Sequence, residues 1–248
     1  MLEVDAKKHK PKAAVQQLLN SLEAPFKADI ETIRGYSTVP LYRYFVIENT
    51  IDTLILDALA WRVGTDIVLS NGFRFCPPRN TGPDGMAPIT EGYIYDMLPV
   101  DSLIRTAKVS GQQLLDWLEK ELNNVFAKDA SKRFGGWVVK FKGMKVEFLA
   151  FGEPGKRVQK VSVGGQPIDP ARIYSVCACE RDGDPDTMLC RIPQVKEGKN
   201  TPYSLHQTMR DYLAANSPVT PTPHGAAIAL DAPATLLTQV TGVKYGFR

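Results

Sequence analysis

A chain of 248 residues is long for one domain and short for two, which predicts one large domain with an appended segment. Apolar residues make up 44% and charged residues 23%, which excludes a mainly disordered chain. The 30 basic and 27 acidic residues leave a net charge of +3, too balanced to point to nucleic acid.

No run approaches the ~18–20 consecutive apolar residues of a membrane span. The first residues, Met1-Leu2-Glu3-Val4-Asp5-Ala6-Lys7-Lys8, carry charge where a signal peptide would place its apolar stretch, so no export signal is expected here. Lys7 to Leu22 predicts a basic amphipathic helix with Val15, Leu18, Leu19 and Leu22 on one stripe. Pro11 suits its first turn and Pro25 ends it. Such a helix needs a surface to lie on, either its own domain or a neighbouring one.

From Glu48 the period is helical again through Ile51, Leu54, Ile55, Ala58 and Leu59, with Gly64 as the stop. Asp66 to Ser70 predicts a short apolar strand, and Asn71-Gly72 turns the chain at its end. A proline-rich loop runs from Cys76 to Pro88, and Ile89 to Leu98 predicts the start of a helical turn. Ser102 to Val109 reads as a strand, after which Ser110-Gly111 opens a helix through Leu122. Beyond Gly135-Gly136 the period changes to two. Strands are expected at Trp137–Phe141, Met144–Phe148, Val158–Val163 and Ile173–Cys179, with Gly164-Gly165 as a hairpin signal. Ser204 to Asn216 predicts a last helix, followed by the extended segment 217–223 with three prolines. Helices and strands do not alternate regularly, so the expected class is α+β, a mixed β-sheet with packed helices.

Much familiar chemistry is missing. There is no nucleophile-elbow serine and no Walker-type phosphate loop. Three scattered histidines (His9, His206, His224) cannot furnish a two-metal hydrolytic centre. Cys177 and Cys179 share a strand face about 6.5–7 Å apart at Cα, at or beyond the usual disulfide limit. With Cys76 and Cys190 they read as free thiols in packed structure, although a Cys177, Cys179 and Cys190 metal site is an alternative.

What stands out is Ser70-Asn71-Gly72-Phe73-Arg74-Phe75, a sharp turn that carries an arginine between two aromatic residues at a strand end. Arg43, in Leu41-Tyr42-Arg43-Tyr44-Phe45, repeats the theme. A guanidinium so placed offers a bidentate fork to phosphate, sulfate or carboxylate. The alternative is that each arginine stacks on its flanking rings and pairs with a local acid such as Glu48.

These pieces occur in a telling order: Arg43, Glu48-Asn49 leading a helix with Asp57-Ala58, Asp66 and an apolar strand into Asn71-Gly72, then Gly92-Tyr93-Ile94, Leu98-Pro99, and a Gly111-opened helix with Leu118-Glu119. Val163-Gly164-Gly165-Gln166-Pro167-Ile168-Asp169 and Tyr174 follow. Together they resemble the C-terminal domain of the 5'-nucleotidase family over roughly Thr38 to Leu213. The resemblance implies a division into a linker helix region at 1–36, a substrate-recognition domain at 37–216 and a proline-rich extension at 217–248. It also implies an N-terminal metallophosphatase domain, bearing two divalent metal ions and absent from this chain, with a connecting helix that allows rotation. Lys7 to Leu22 would be that connector. The chain itself would hold no cofactor and no catalytic residue.

Carried over by position, Arg43 and Arg74 resemble the arginines that hold the substrate's phosphate and ribose region. Asn71 resembles the Asn that opens the Gly-rich turn, and Asp184 the ribose-binding Asp. The expected partner is a small anionic substrate, in nucleotide catabolism, and the expected location periplasmic or secreted. Three departures stand out. The turn Asn71-Gly72-Phe73-Arg74 is two residues shorter than the family's Asn-Gly-Gly-Gly-Ile-Arg. Val100 stands where the family has a base-stacking Phe, and the second such Phe falls near Cys179 or Glu180. Gly72-Phe73-Arg74-Phe75 is similar to the turn of the thiosulfohydrolases of bacterial sulfur oxidation, whose thiosulfonate-like substrate needs no base sandwich. A non-catalytic anion-binding module is the remaining alternative.

Overall fold

The structure, a computed structural model, describes residues 10–43, 47–70, 76–132, 140–179 and 183–232. Asn71 and Arg74 lie outside the described residues, as do residues 137–139 of the strand expected at Trp137–Phe141.

Helices α1 (Ala13–Glu23) and α2 (Lys27–Glu31) lead into β1 (Ile33–Ser37) and α3 (Thr50–Val63). Asn49 caps α3 by accepting the Asp52 amide, and Gly64 closes it in the left-handed conformation at φ 68°. Then come β2 (Ile67–Leu69), β3 (Ala87–Thr90), α4 (Glu91–Met97), β4 (Leu103–Ser110) and α5 (Gly111–Phe126). Ser110 and Gln113 form a reciprocal capping box at the start of α5. The helical turn expected from Ile89 starts two residues later. Ile89 and Thr90 belong to β3, which pairs antiparallel with β1, and the Thr90 hydroxyl caps α4 instead.

The second half is strand-rich: β5 (Phe141–Lys142), β6 (Met144–Phe148), β7 (Val158–Val163), β8 (Gln166–Pro167), β9 (Ile173–Cys179), β10 (Met188–Leu189), β11 (Ile192–Pro193) and β12 (Lys196–Ser204). Helix α6 (Leu205–Asn216) and β13 (Ala227–Ala229) complete the described chain. Gly164 and Gly165, at φ 58° and 81°, make the two-residue turn between β7 and β8 that their sequence announces.

The main sheet has five strands in the order β12-β4-β9-β2-β5, with β2 and β9 parallel and the other pairs antiparallel. A second sheet runs β13-β6-β7-β8. The mixed α+β class expected from the sequence is therefore the one observed. The main sheet is buried on both faces. Ile67, Leu69, Val109 and Val176 pack with Leu114, Trp117 and Leu118 of α5 and with the second sheet. Val68, Ile104 and Cys177 point the other way, into Leu54, Ile55 and Leu59 of α3 and Met209 of α6. This period of two along each strand is what separates the two apolar layers.

Helix α1 buries no residue. After α6, Val219 is buried and exchanges backbone hydrogen bonds with Tyr36 and Thr38, and β13 adds a parallel edge to β6. Among the described residues no helix is long and apolar enough to cross a membrane.

Candidate functional site

Strands β2 and β9 run parallel and adjacent, so their carboxyl ends open on the same edge of the sheet. Ser70 stands just past the carboxyl end of β2, and Cys179 is the last residue of β9. Ser70, Cys179 and Leu98 line one small cavity there, together with Ile55, Leu59 and Leu205. Loops leaving the carboxyl ends of parallel strands are where α/β sheets characteristically bind ligands. Of the four expected site positions, Asn71 and Arg74 lie outside the described residues. Asp184 is half-buried in the turn before β10.

Arg43 reaches the same region from beneath. Its side chain is 0% exposed. Nε donates to Asp52 Oδ1 at 3.3 Å, Nη1 donates to the Met97 carbonyl at 2.8 Å, and Nη2 lies 3.2 Å from Asp52 Oδ1 without hydrogen-bond alignment. The local acid beside Arg43 is therefore Asp52. Glu48 is engaged elsewhere, accepting the backbone amides of His224 and Ala226.

Asp52 is the hub of the cluster. It accepts from Asn49 Nδ2 at 2.6 Å and from Ser70 Oγ at 2.9 Å, and Lys140 Nζ sits 3.1 Å from Oδ2. Burial alone would raise its pKa. Lys140 first and Arg43 second, with the hydrogen bonds from Asn49 and Ser70, outweigh that and bring it down to about 2. Among the described residues the cluster holds two buried cations against one carboxylate, beside Ser70 at the end of β2.

A second clamp holds the segment between α4 and β4. His206 Nε2 lies 2.5 Å from the Leu98 carbonyl oxygen, which can only accept, so the proton is on Nε2. The His206 amide donates to Asp101 Oδ1 at 2.8 Å. Arg43 and His206 therefore grip the successive carbonyls of Met97 and Leu98, just before Pro99 and Val100. Val100 is 48% exposed.

Asp52 stands three residues after the Asn49 cap, a spacing visible in the sequence, though nothing there announces its cations. Lys140 carried no sequence signal, and His206 stood out only as one of three scattered histidines. Their roles come from β5 pairing with β2 and from α6 packing against the 97–101 segment. Among the described residues no group of three His, Cys, Asp or Glu side chains could hold a metal ion.

A family profile for the 5'-nucleotidase C-terminal domain matches residues 31–180. The chain belongs to that family. Its fold is also that of solved structures. The sulfate thiohydrolase SoxB of Thermus thermophilus superposes with a TM-score of 0.77 at 24% identity, over 92% of this chain and 41% of that one. A 5'-nucleotidase precursor, also from Thermus thermophilus, gives 0.68 at 21%, over 89% and 44%. The NAD nucleotidase of Haemophilus influenzae gives 0.58 at 16%, over 89% and 40%. No curated protein matches the sequence. This 5'-nucleotidase C-terminal domain chain spans less than half the length of these structures.

Proposed function

We propose that this chain is the substrate-recognition part of a metal-dependent, 5'-nucleotidase-like hydrolase, and that it grips a small anionic substrate at the carboxyl ends of β2 and β9. The observation that carries this reading is the charge imbalance beneath that edge: Arg43 and Lys140 against Asp52 alone among the described residues. In a low-dielectric interior such an excess projects a positive potential onto that edge of the sheet. Arg74, four residues beyond Ser70 in the chain, would make the direct bidentate contact, with Asn71 shaping the backbone and Asp184 accepting from a substrate hydroxyl. Arg43 acts from below, by holding Asp52 and the Met97 carbonyl in place. The two divalent ions and the bond-breaking chemistry would belong to a metallophosphatase domain outside this chain. Helix α1, which buries nothing on the described domain and exposes Val15, Leu18, Leu19 and Leu22, would connect the two. The family, and the precursor form of one structural relative, support a periplasmic or secreted setting.

A thiosulfonate-type substrate is favoured by one specific observation. Val100 is the exposed residue where the family places a stacking ring, and base–aromatic stacking is worth ~1–3 kcal/mol per base. An anion with no nucleobase loses nothing there. The likeness to the sulfate thiohydrolase points the same way. Titrating the full chain with AMP and with S-sulfocysteine, in wild type and Arg74→Ala, tests both readings. The expected result is tighter binding of S-sulfocysteine, lost in Arg74→Ala. Binding of neither ligand would overturn the anion-recognition reading, and tighter AMP binding would overturn the thiosulfonate one.

A further inference from the structure

At the amino end of β2, away from Ser70, a second cleft of about 320 Å³ opens between the two sheets and the 224–226 segment. Its polar lining is Lys142, Lys145, Ser162 and His224. Lys142 pairs with Val68, and Gly143 abuts Asp66, so the cleft lies about four strand residues, ~13 Å, from Ser70.

Two of these groups are held from behind. Asp57, on α3, takes Lys142 Nζ at 2.6 Å and His224 Nε2 at 3.1 Å. Glu48 accepts the amides of His224 and Ala226 at 2.9 and 3.0 Å, which pins the segment against α3. Neither carboxylate lines the cleft. Burial would raise the Asp57 pKa, but the hydrogen bonds from His224 and Lys142 lower it, so the carboxylate stays ionised and anchors both partners.

Two further groups face the opening without a described partner. Lys145 is exposed and makes no ion pair among the described residues. Ser162 stands directly opposite Lys145 in the β6–β7 register, on the face of the sheet away from the core residues Met144 and Val146. The rest of the lining is Gly143, Met144, Ala226 and three further glycines. Gly164, Gly165 and Gly225 have positive φ, and nothing lies within 4 Å of where their Cβ atoms would be.

We propose that this cleft is an oxyanion-binding site, separate from the one at the carboxyl ends of β2 and β9, which takes the phosphate or sulfate group of a small molecule. Two ammonium groups and a hydroxyl approaching from different elements match the several acceptor oxygens of a tetrahedral oxyanion. The volume lies at the lower end of the ~300–1,000 Å³ of small-molecule pockets, so it holds more than a bare ion.

The test is an amide NMR titration of the full chain with inorganic phosphate and with glycerol 3-phosphate, against chloride at matched ionic strength. Saturable shifts at the Gly164, Gly165 and Gly225 amides are expected with phosphate, and at several-fold lower concentration with the ester. Lys145→Glu, at an exposed position that leaves the fold alone, should weaken both at least tenfold, and Ser162→Ala several-fold. Arg74→Ala should change neither, which separates this site from the one at the other end of β2. Equal shifts with chloride, no saturation, or unchanged binding in Lys145→Glu would overturn the proposal. An ester that binds no tighter than phosphate would overturn its small-molecule part.

Discussion

Arg43 and Asp52 form an ion pair at 3.2 Å in which neither side chain is more than 3% exposed. Breaking a buried pair by removing one partner typically costs about 3–5 kcal/mol, because the other charge is left without compensation. Arg43→Ala should therefore lower the stability of the domain by about that amount, read as a drop in the urea midpoint at unchanged slope. A residue that served only to touch substrate would leave the midpoint where it is.

The acid side of the stability profile follows from Asp52. Its folded pKa of about 2 lies below the unfolded carboxylate value of ~3.9. Its contribution is thus complete above about pH 4 and is lost as pH falls towards 2. Asp52→Asn should be markedly less stable than wild type at pH 7, and the gap should close over that window. A gap that stays constant from pH 7 to pH 2 would contradict the assignment.

Val100 offers a gain-of-binding test. If the exposed side chain borders the substrate position, Val100→Phe supplies one stacking face worth ~1–3 kcal/mol. AMP affinity, measured by calorimetry, should rise roughly tenfold or more. No change in AMP affinity would remove Val100 from the site.

Two glycines with positive φ should respond unequally to a methyl group. At Gly64 nothing lies within 4 Å, so Gly64→Ala meets only the left-handed backbone penalty, about 1–2 kcal/mol. At Gly143 a Cβ would collide with the Asp66 carbonyl as well, in the bend between β5 and β6. Gly143→Ala should be the more destabilising by thermal unfolding, and equal losses would refute the close approach.

Helix α1 should be dispensable to the domain. It buries no residue, so a chain starting at Pro25 should unfold within about 0.5 kcal/mol of the parent. It should also be more soluble, since Val15, Leu18, Leu19 and Leu22 are between 45% and 61% exposed.

Local chemistry explains what the sequence alone determined. Asn49 and Gly64 bound α3, Ser110 and Gln113 open α5, and Gly164-Gly165 turns β7 into β8, because caps and tight turns depend on a few adjacent residues. The order of motifs from Arg43 to Tyr174 was enough to place the family, and Arg43, Asn71, Arg74 and Asp184 were candidates on that ground alone. Tertiary structure decided the rest. Parallel pairing of β2 with β9 brings Ser70 and Cys179 to one edge, across more than a hundred residues of chain. Lys140 and His206 become partners of Asp52 and Leu98 only through strand pairing and helix packing. The same packing holds Lys142 and His224 on Asp57 at the far end of β2. Charges converge in space through contacts that no local pattern encodes, so the ion pairs that shape both ends of β2 had to be seen in the fold.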